Sequence, residues 1–216
     1  MSILDVLSPD SASPPLWLSV PPEFVRIDPD EPLETRIQRM LADTSELPGM
    51  DAQQQINLVY SQEALRRDLD KAGAIYAAHC VAHSEHGSRL VTALFTVILR
   101  DIPNLAGRSM AEIARGLREP GDPSEVILWD YPAGQAIVHG QHAMASWRGT
   151  TKAVRSAQVM FKMPNEEQLA ILGLSTSDLE DWQDFAQIIH NIAQTVSFTR
   201  PSTKEPNIGD ALNGGL

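Results

Sequence analysis

Cysteine is all but missing from this chain of 216 residues: Cys80 is the only one. No disulfide can form within it, so its stability rests on a packed core, and nothing points to an oxidising compartment. Positive charge is also scarce. The 17 Lys and Arg are outnumbered by 28 Asp and Glu, which leaves a net charge of −11. A phosphate-binding surface needs a basic excess, so the balance argues against nucleic acid and against an anionic membrane surface. It favours a soluble protein with a mild preference for basic partners.

Long apolar runs are absent too. The longest, LVTALFTVIL at 90–99, is about half a membrane span and carries two threonines. The opening MSILDVLSPDSASPP has no basic segment ahead of an apolar one, unlike a signal peptide. No membrane insertion is expected, and the expected compartment is the cytoplasm. The chain also lacks a G-x-x-x-x-G-K phosphate loop, G-x-G-x-x-G, G-x-S-x-G and H-E-x-x-H. No cofactor is implied.

What remains is enough for one domain: a hydrophobic share of 43% can build a core at this length. Segments 1–15 and 200–216, rich in Ser, Pro, Asp and Gly, read as flexible tails around a single domain at 16–199. LWLSV (16–20) reads as a short strand stopped by two prolines. A helix follows Pro32, with Leu33, Ile37, Met40 and Leu41 on one face, and a second spans 51–72 and ends at Gly73. A hairpin then runs from 74 to 99 through a turn containing Gly87. Its second strand is apolar on both faces, as an interior strand is.

Ser109 and Glu112 form a capping box for a short helix. Hairpins turn at YPAG (131–134) and PNEE (164–167). The last helix, 177–196, has a second S-x-x-E pattern at Ser177 and Glu180, and apolar residues at steps of three and four. The expected class is α/β in the α+β sense: a mostly antiparallel sheet, helices on both faces and a long amphipathic C-terminal helix.

The residues that invite chemistry lie in AAHCVAHSEHGS (77–88). On a helix, His79, His83 and His86 would share one face and could share zinc. On a strand, Cys80 faces away from His79 and His83, and those two stand roughly 13 Å apart, too far for a common ion. They stay as weak metal candidates only. HSE (83–85) matches half of a zinc-deaminase signature, but its P-C-x-x-C half is missing. Cys80 with a histidine from a neighbouring strand is a further candidate pair, and His139 and His142 are candidates for an imidazole cluster. DPDEP (28–32) is too short and proline-bound to wrap a cation. The locally basic WRGTTKAVRSAQVMFK (147–162) could meet an acidic partner.

WLSVPPEF, VILWDYPAGQAIV and LAILGLSTSDLEDWQDFAQIIHNIAQTVSF follow one another along residues 17–198. In order and texture they resemble the opening strand, middle hairpin and closing strand–helix of the PsbP-like fold superfamily. That family includes the extrinsic P protein of photosystem II and LpqN-like accessory proteins. The two-helix stretch at 32–72 departs from the family's pattern. The resemblance implies a non-catalytic accessory protein that binds another protein, an adaptor or chaperone of the secretion-associated kind. A small-molecule or lipid carrier and a histidine-dependent hydrolase are the alternatives.

Overall fold

Strand β1 (Ser2–Asp5) pairs antiparallel with β2 (Trp17–Val20) in a small sheet of its own. The computed structural model describes residues 2–5, 16–28, 30–45, 53, 56, 67–69, 71–87, 89–118, 124–147 and 150–200. Residues 2–5 were expected in a flexible tail; they pair instead with the apolar segment behind them. Strand β3 (Phe24–Arg26), too short to show a period, follows the prolines that stop β2. Helix α1 (Leu33–Ser45) has the expected bounds. Leu33 is exposed and Ile37 and Leu41 are half-buried, while Arg36 is buried and its guanidinium donates to the Glu31 carbonyl. Most of the expected 51–72 helix lies outside the described residues; residues 53, 56, 67–69 and 71–72 are helical. Gly73 follows them with φ +75°, the left-handed conformation that lets a chain leave a helix.

The main sheet is built by hairpins. Strands β4 (Ala74–His83) and β5 (Leu90–Asp101) flank the Gly87 turn. Helix α2 (Met110–Gly116) starts at a complete capping box, with Ser109 and Glu112 each receiving the other's backbone N–H. Strands β6 (Glu125–Tyr131) and β7 (Gly134–Trp147) are joined by a two-residue turn at Pro132–Ala133, and Gly134 takes φ +124°. Strands β8 (Thr150–Lys162) and β9 (Gln168–Thr176) turn at 164–167. The order is β3-β4-β5-β9-β8-β7-β6, antiparallel throughout. The class is therefore α+β. Strand β5, apolar on both faces, lies inside the sheet between β4 and β9.

Two apolar clusters meet the sheet. The larger holds Phe95, Ala136, Val159, Phe161 and Leu172 together with Leu16, Leu18 and Val20 of the β2 segment. The smaller holds Val126, Ile137 and Met160 with Met110 and Ala114 of α2. Ala136 and Ile137 are neighbours on one strand and so point to opposite faces. The final helix, α3 (Trp182–Gln194), gives Trp182, Phe185, Ile189, Ile192 and Ala193 to the larger cluster.

The start of that helix corrects an expectation. Ser177 and Glu180 do not form a capping box. A 3-10 turn (Leu179–Asp181) comes first, and neither it nor α3 has a side-chain cap. The carboxylates are taken by the β4–β5 hairpin: Asp178 accepts from Thr92 N at 2.7 Å, and Asp181 accepts from Ser84 and Arg89. After α3 the chain meets β2, where Ser197 and Trp17 exchange backbone hydrogen bonds of 2.9 Å.

Candidate functional site

The histidine stretch lies on β4 and the turn after it. His79, Cys80 and His83 are strand residues paired with Leu94, Ala93 and Leu90 of β5, so the rule of alternation applies and the shared-zinc geometry is lost. Cys80 is buried. Burial pushes its thiol above the ordinary range, and the Glu23 carboxylate pushes it the same way, so the thiolate a nucleophile needs is disfavoured. His139 and His142 stand on β7, four strand spacings from β4, or roughly 19 Å. The two hairpins therefore do not bring their histidines together. Lys162 and Arg155 of the basic segment part company as well. Lys162 lies 3.7 Å from Glu166, while the Arg155 guanidinium covers the Trp182 ring at 4.7 Å.

A cluster does form around His86, but with residues the sequence did not associate with it. His86 Nε2 is 3.2 Å from Asp184 Oδ2, and ligand atoms of His86, Asp181 and Asp184 lie within 4.8 Å of one another. The wiring explains what the cluster does. Ser84 donates its hydroxyl to one Asp181 oxygen and Arg89 donates to the other; Arg89 also lies 3.0 Å from Glu180. A guanidinium already supplies the positive charge a metal would bring. Ser84, His86 and an aspartate are also the residue types of a catalytic triad. Here the serine proton is directed at a carboxylate, and only the His86 backbone N–H reaches Ser84 Oγ, at 3.1 Å. No imidazole among the described residues is placed on the hydroxyl, as a serine–histidine pair requires. The group clasps the β4–β5 turn to the start of α3. A cavity of about 330 Å³ lies beside it, lined by Phe24, Cys80, His83, Asp184 and Phe185 among others.

The other side of α3 carries the most unusual surface. Strand β6 reads E-V-I-L-W-D-Y, and Ile127, Leu128 and Trp129 are all exposed, Ile127 and Trp129 at 48% each. Alternation sends Glu125, Ile127, Trp129 and Tyr131 to one face, where with Val138 and Gly140 of β7 and Arg155 and Ala157 of β8 they floor a trough. Trp182, Ala186, Ile189 and His190 of α3 form its wall, around a volume of about 250 Å³. Tyr131 Oη meets His190 Nδ1 at 3.2 Å, and the Trp129 ring stands perpendicular to the His190 ring at 5.6 Å. Burial pushes the Tyr131 phenol up to about 12, so it stays neutral at physiological pH and positions His190. A site that buries a drug-sized ligand spans about 300–1,000 Å³. The trough falls below that and suits an inserted side chain.

The trough residues come from four separated segments, so no local motif announces them. One signal was readable: three consecutive large apolar residues at 127–129 in an antiparallel strand leave an apolar residue on each face. No helix among the described residues is long and apolar enough to cross a membrane. No family model, no curated protein and no solved structure matches the chain.

Proposed function

We propose that this protein is a non-catalytic accessory protein, an adaptor or chaperone, that binds another protein in the trough between β6 and α3. One observation carries the reading: an edge strand exposes three large apolar side chains in a row, two of which, Ile127 and Trp129, stand beside a wall formed by Trp182 and His190. Buried aromatic pockets flanked by polar groups are where interface energy concentrates. The occupant offers an aromatic or aliphatic side chain, with a basic flank suited to Glu125 and to a net charge of −11.

The PsbP-like assignment belongs to the same proposal, with a helical layer on each face of the sheet and α3 as its amphipathic closing helix. It is supported by the order of elements from β2 to α3 and by the separate clusters around α2 and α3. The proposed setting is the cytoplasm, in line with a lone, buried cysteine.

A photo-reactive residue placed at Ile127 in cells of the native host tests this. The expected result is a crosslink to one foreign protein, reduced at least about tenfold by Trp129→Ala. Crosslinks to no protein, or only to this chain itself, overturn the reading.

A further inference from the structure

We propose that two copies of this chain join edge to edge through β6, antiparallel, on a two-fold axis at Leu128. Among the described residues strand β6 ends the sheet, and one rim of its backbone has no neighbouring strand. Which groups face that rim follows from the turn. A two-residue hairpin closes on a hydrogen-bonded pair, here Tyr131 and Gly134. Bonded and non-bonded pairs then alternate along an unbroken register, so Glu125, Ile127, Trp129 and Tyr131 spend their N–H and C=O on β7. Val126, Leu128 and Asp130 aim theirs outward. The Val126 carbonyl agrees: it accepts from the Arg118 guanidinium at 2.7 Å and not from the sheet.

A second β6 can dock on those outward groups along its full length when Leu128 faces Leu128 of the second copy. Val126 then exchanges hydrogen bonds with Asp130, the Arg118 guanidinium giving up the Val126 carbonyl, and Leu128 with its own counterpart. The remaining residues form the closer, non-bonded pairs. There Ile127 meets Trp129, an aliphatic–aromatic pair of the kind that stabilises sheets, and Glu125 meets Tyr131. Each strand carries two acids, and in this register neither faces an acid. The strand pairs apolar with apolar side chains and brings no acid opposite an acid in this register, which singles out a second copy as the occupant. The opposite edge, β3, is only three residues long and ends in exposed Arg26.

A two-fold axis normal to the sheet puts both troughs on one side of the joined sheet. Trp129 of each copy then lies beside Ile127 of the other, so the second copy widens the floor of the trough. The contact can be probed apart from any foreign partner at Leu128, which points to the face away from the trough.

The test uses the full chain. Light scattering with size exclusion should give twice 23.7 kDa. The dimer should strengthen with added salt, since two acidic bodies repel and salt screens them over about 8 Å at physiological strength. Leu128→Cys places two thiols on the axis with Cα atoms about 5.5 Å apart, within disulfide reach. Mild oxidation should link most of that variant. Glu125→Cys, whose two copies would sit roughly 20 Å apart, should stay unlinked, and so should the unmodified chain with its buried Cys80. Leu128→Lys should weaken association at least tenfold without altering the thermal melt taken at concentrations where both chains are monomeric. A monomer at tens of micromolar in high salt, equal linking at positions 125 and 128, or a foreign strand on the β6 rim would overturn the proposal. Loss of the dimer with Ile127 crosslinking intact would leave the trough reading standing.

Discussion

The Arg89 guanidinium donates to the Asp181 carboxylate across 92 residues of chain, joining the foot of β5 to the start of the last helix. Asp181 is 4% exposed, so its charge is withdrawn from water and depends on Arg89 and Ser84 for compensation. Asp178 and Glu180 add further negative charge around the same guanidinium.

Removing the cation should therefore cost far more than an exposed ion pair is worth. Arg89→Ala leaves a buried carboxylate with one hydroxyl donor and is expected to destabilise the fold by about 3 kcal/mol. Asp181→Asn keeps an acceptor for Ser84 and is expected to cost less, since Arg89 retains two acidic neighbours. Urea unfolding of both variants decides it; equal costs, or a loss below about 1 kcal/mol for Arg89→Ala, would show that the clasp is not holding the helix start.

The two S-x-x-E sequences should behave differently. Ser109 accepts the Glu112 N–H at 3.2 Å and its own N–H reaches the Glu112 carboxylate at 2.8 Å. Ser109→Ala should cost about 1 kcal/mol. Ser177 starts no such box, and Ser177→Ala should stay within about 0.5 kcal/mol of the parent chain. Thermal melts of the pair would expose an error in either assignment.

Tyrosine titration offers a pH-dependent check. The chain has three tyrosines. Burial holds the Tyr131 phenol at about 12 against an ordinary 10.0 and raises Tyr76 as well, although Arg26 partly offsets the latter. An unfolded chain loses these protons first, so the stability due to a neutral Tyr131 is complete below pH 10 and fades as pH rises towards 12. Tyrosinate absorbance of the native protein should lag that of the unfolded protein over this range. Tyr131→Phe should make stability less steep in pH there, at a cost near pH 8 of about 1 kcal/mol for the lost bond to His190. An unchanged slope would remove Tyr131 as its source.

Gly173 faces Thr96 across β9 and β5, and a Cβ at 173 would lie 2.9 Å from Thr96 Oγ1. Crowding of this kind costs about 1–3 kcal/mol, while alanine recovers about 0.5–1 kcal/mol by restricting the unfolded chain. Gly173→Ala should therefore destabilise by about 1 kcal/mol. Adding Thr96→Ala should return most of that if the hydroxyl is the obstacle; additive losses would place the strain elsewhere.

Much of the sheet was legible because its hairpins are local. Gly87, Pro132 with Gly134, and the turn at 164–167 each fall within a few residues of the strands they join. The double apolar pattern of β5 likewise reflects its own two neighbours in the sheet. The trough was not legible, because Trp129, Arg155, Trp182 and His190 become neighbours only after three strands and a helix have stacked. The false capping box at Ser177 fails for the same reason: Thr92, Ser84 and Arg89 compete for the carboxylates, and they lie far away in sequence. On α1 the apolar spacing gave the helix, but Leu33 at its start is exposed and Arg36, a charged residue, is buried.

The two ends of the sheet differ in a way that limits stoichiometry. A fibre needs a templating surface at each end of every subunit, so that each addition regenerates the one it consumed. Here β6 offers seven residues and β3 only three. In the proposed dimer, once two β6 strands have met, the main sheet presents only the short β3 termini to newcomers. Growth along that sheet would then stop at two, and an apolar edge that would be an aggregation hazard in a symmetric sheet would become self-limiting.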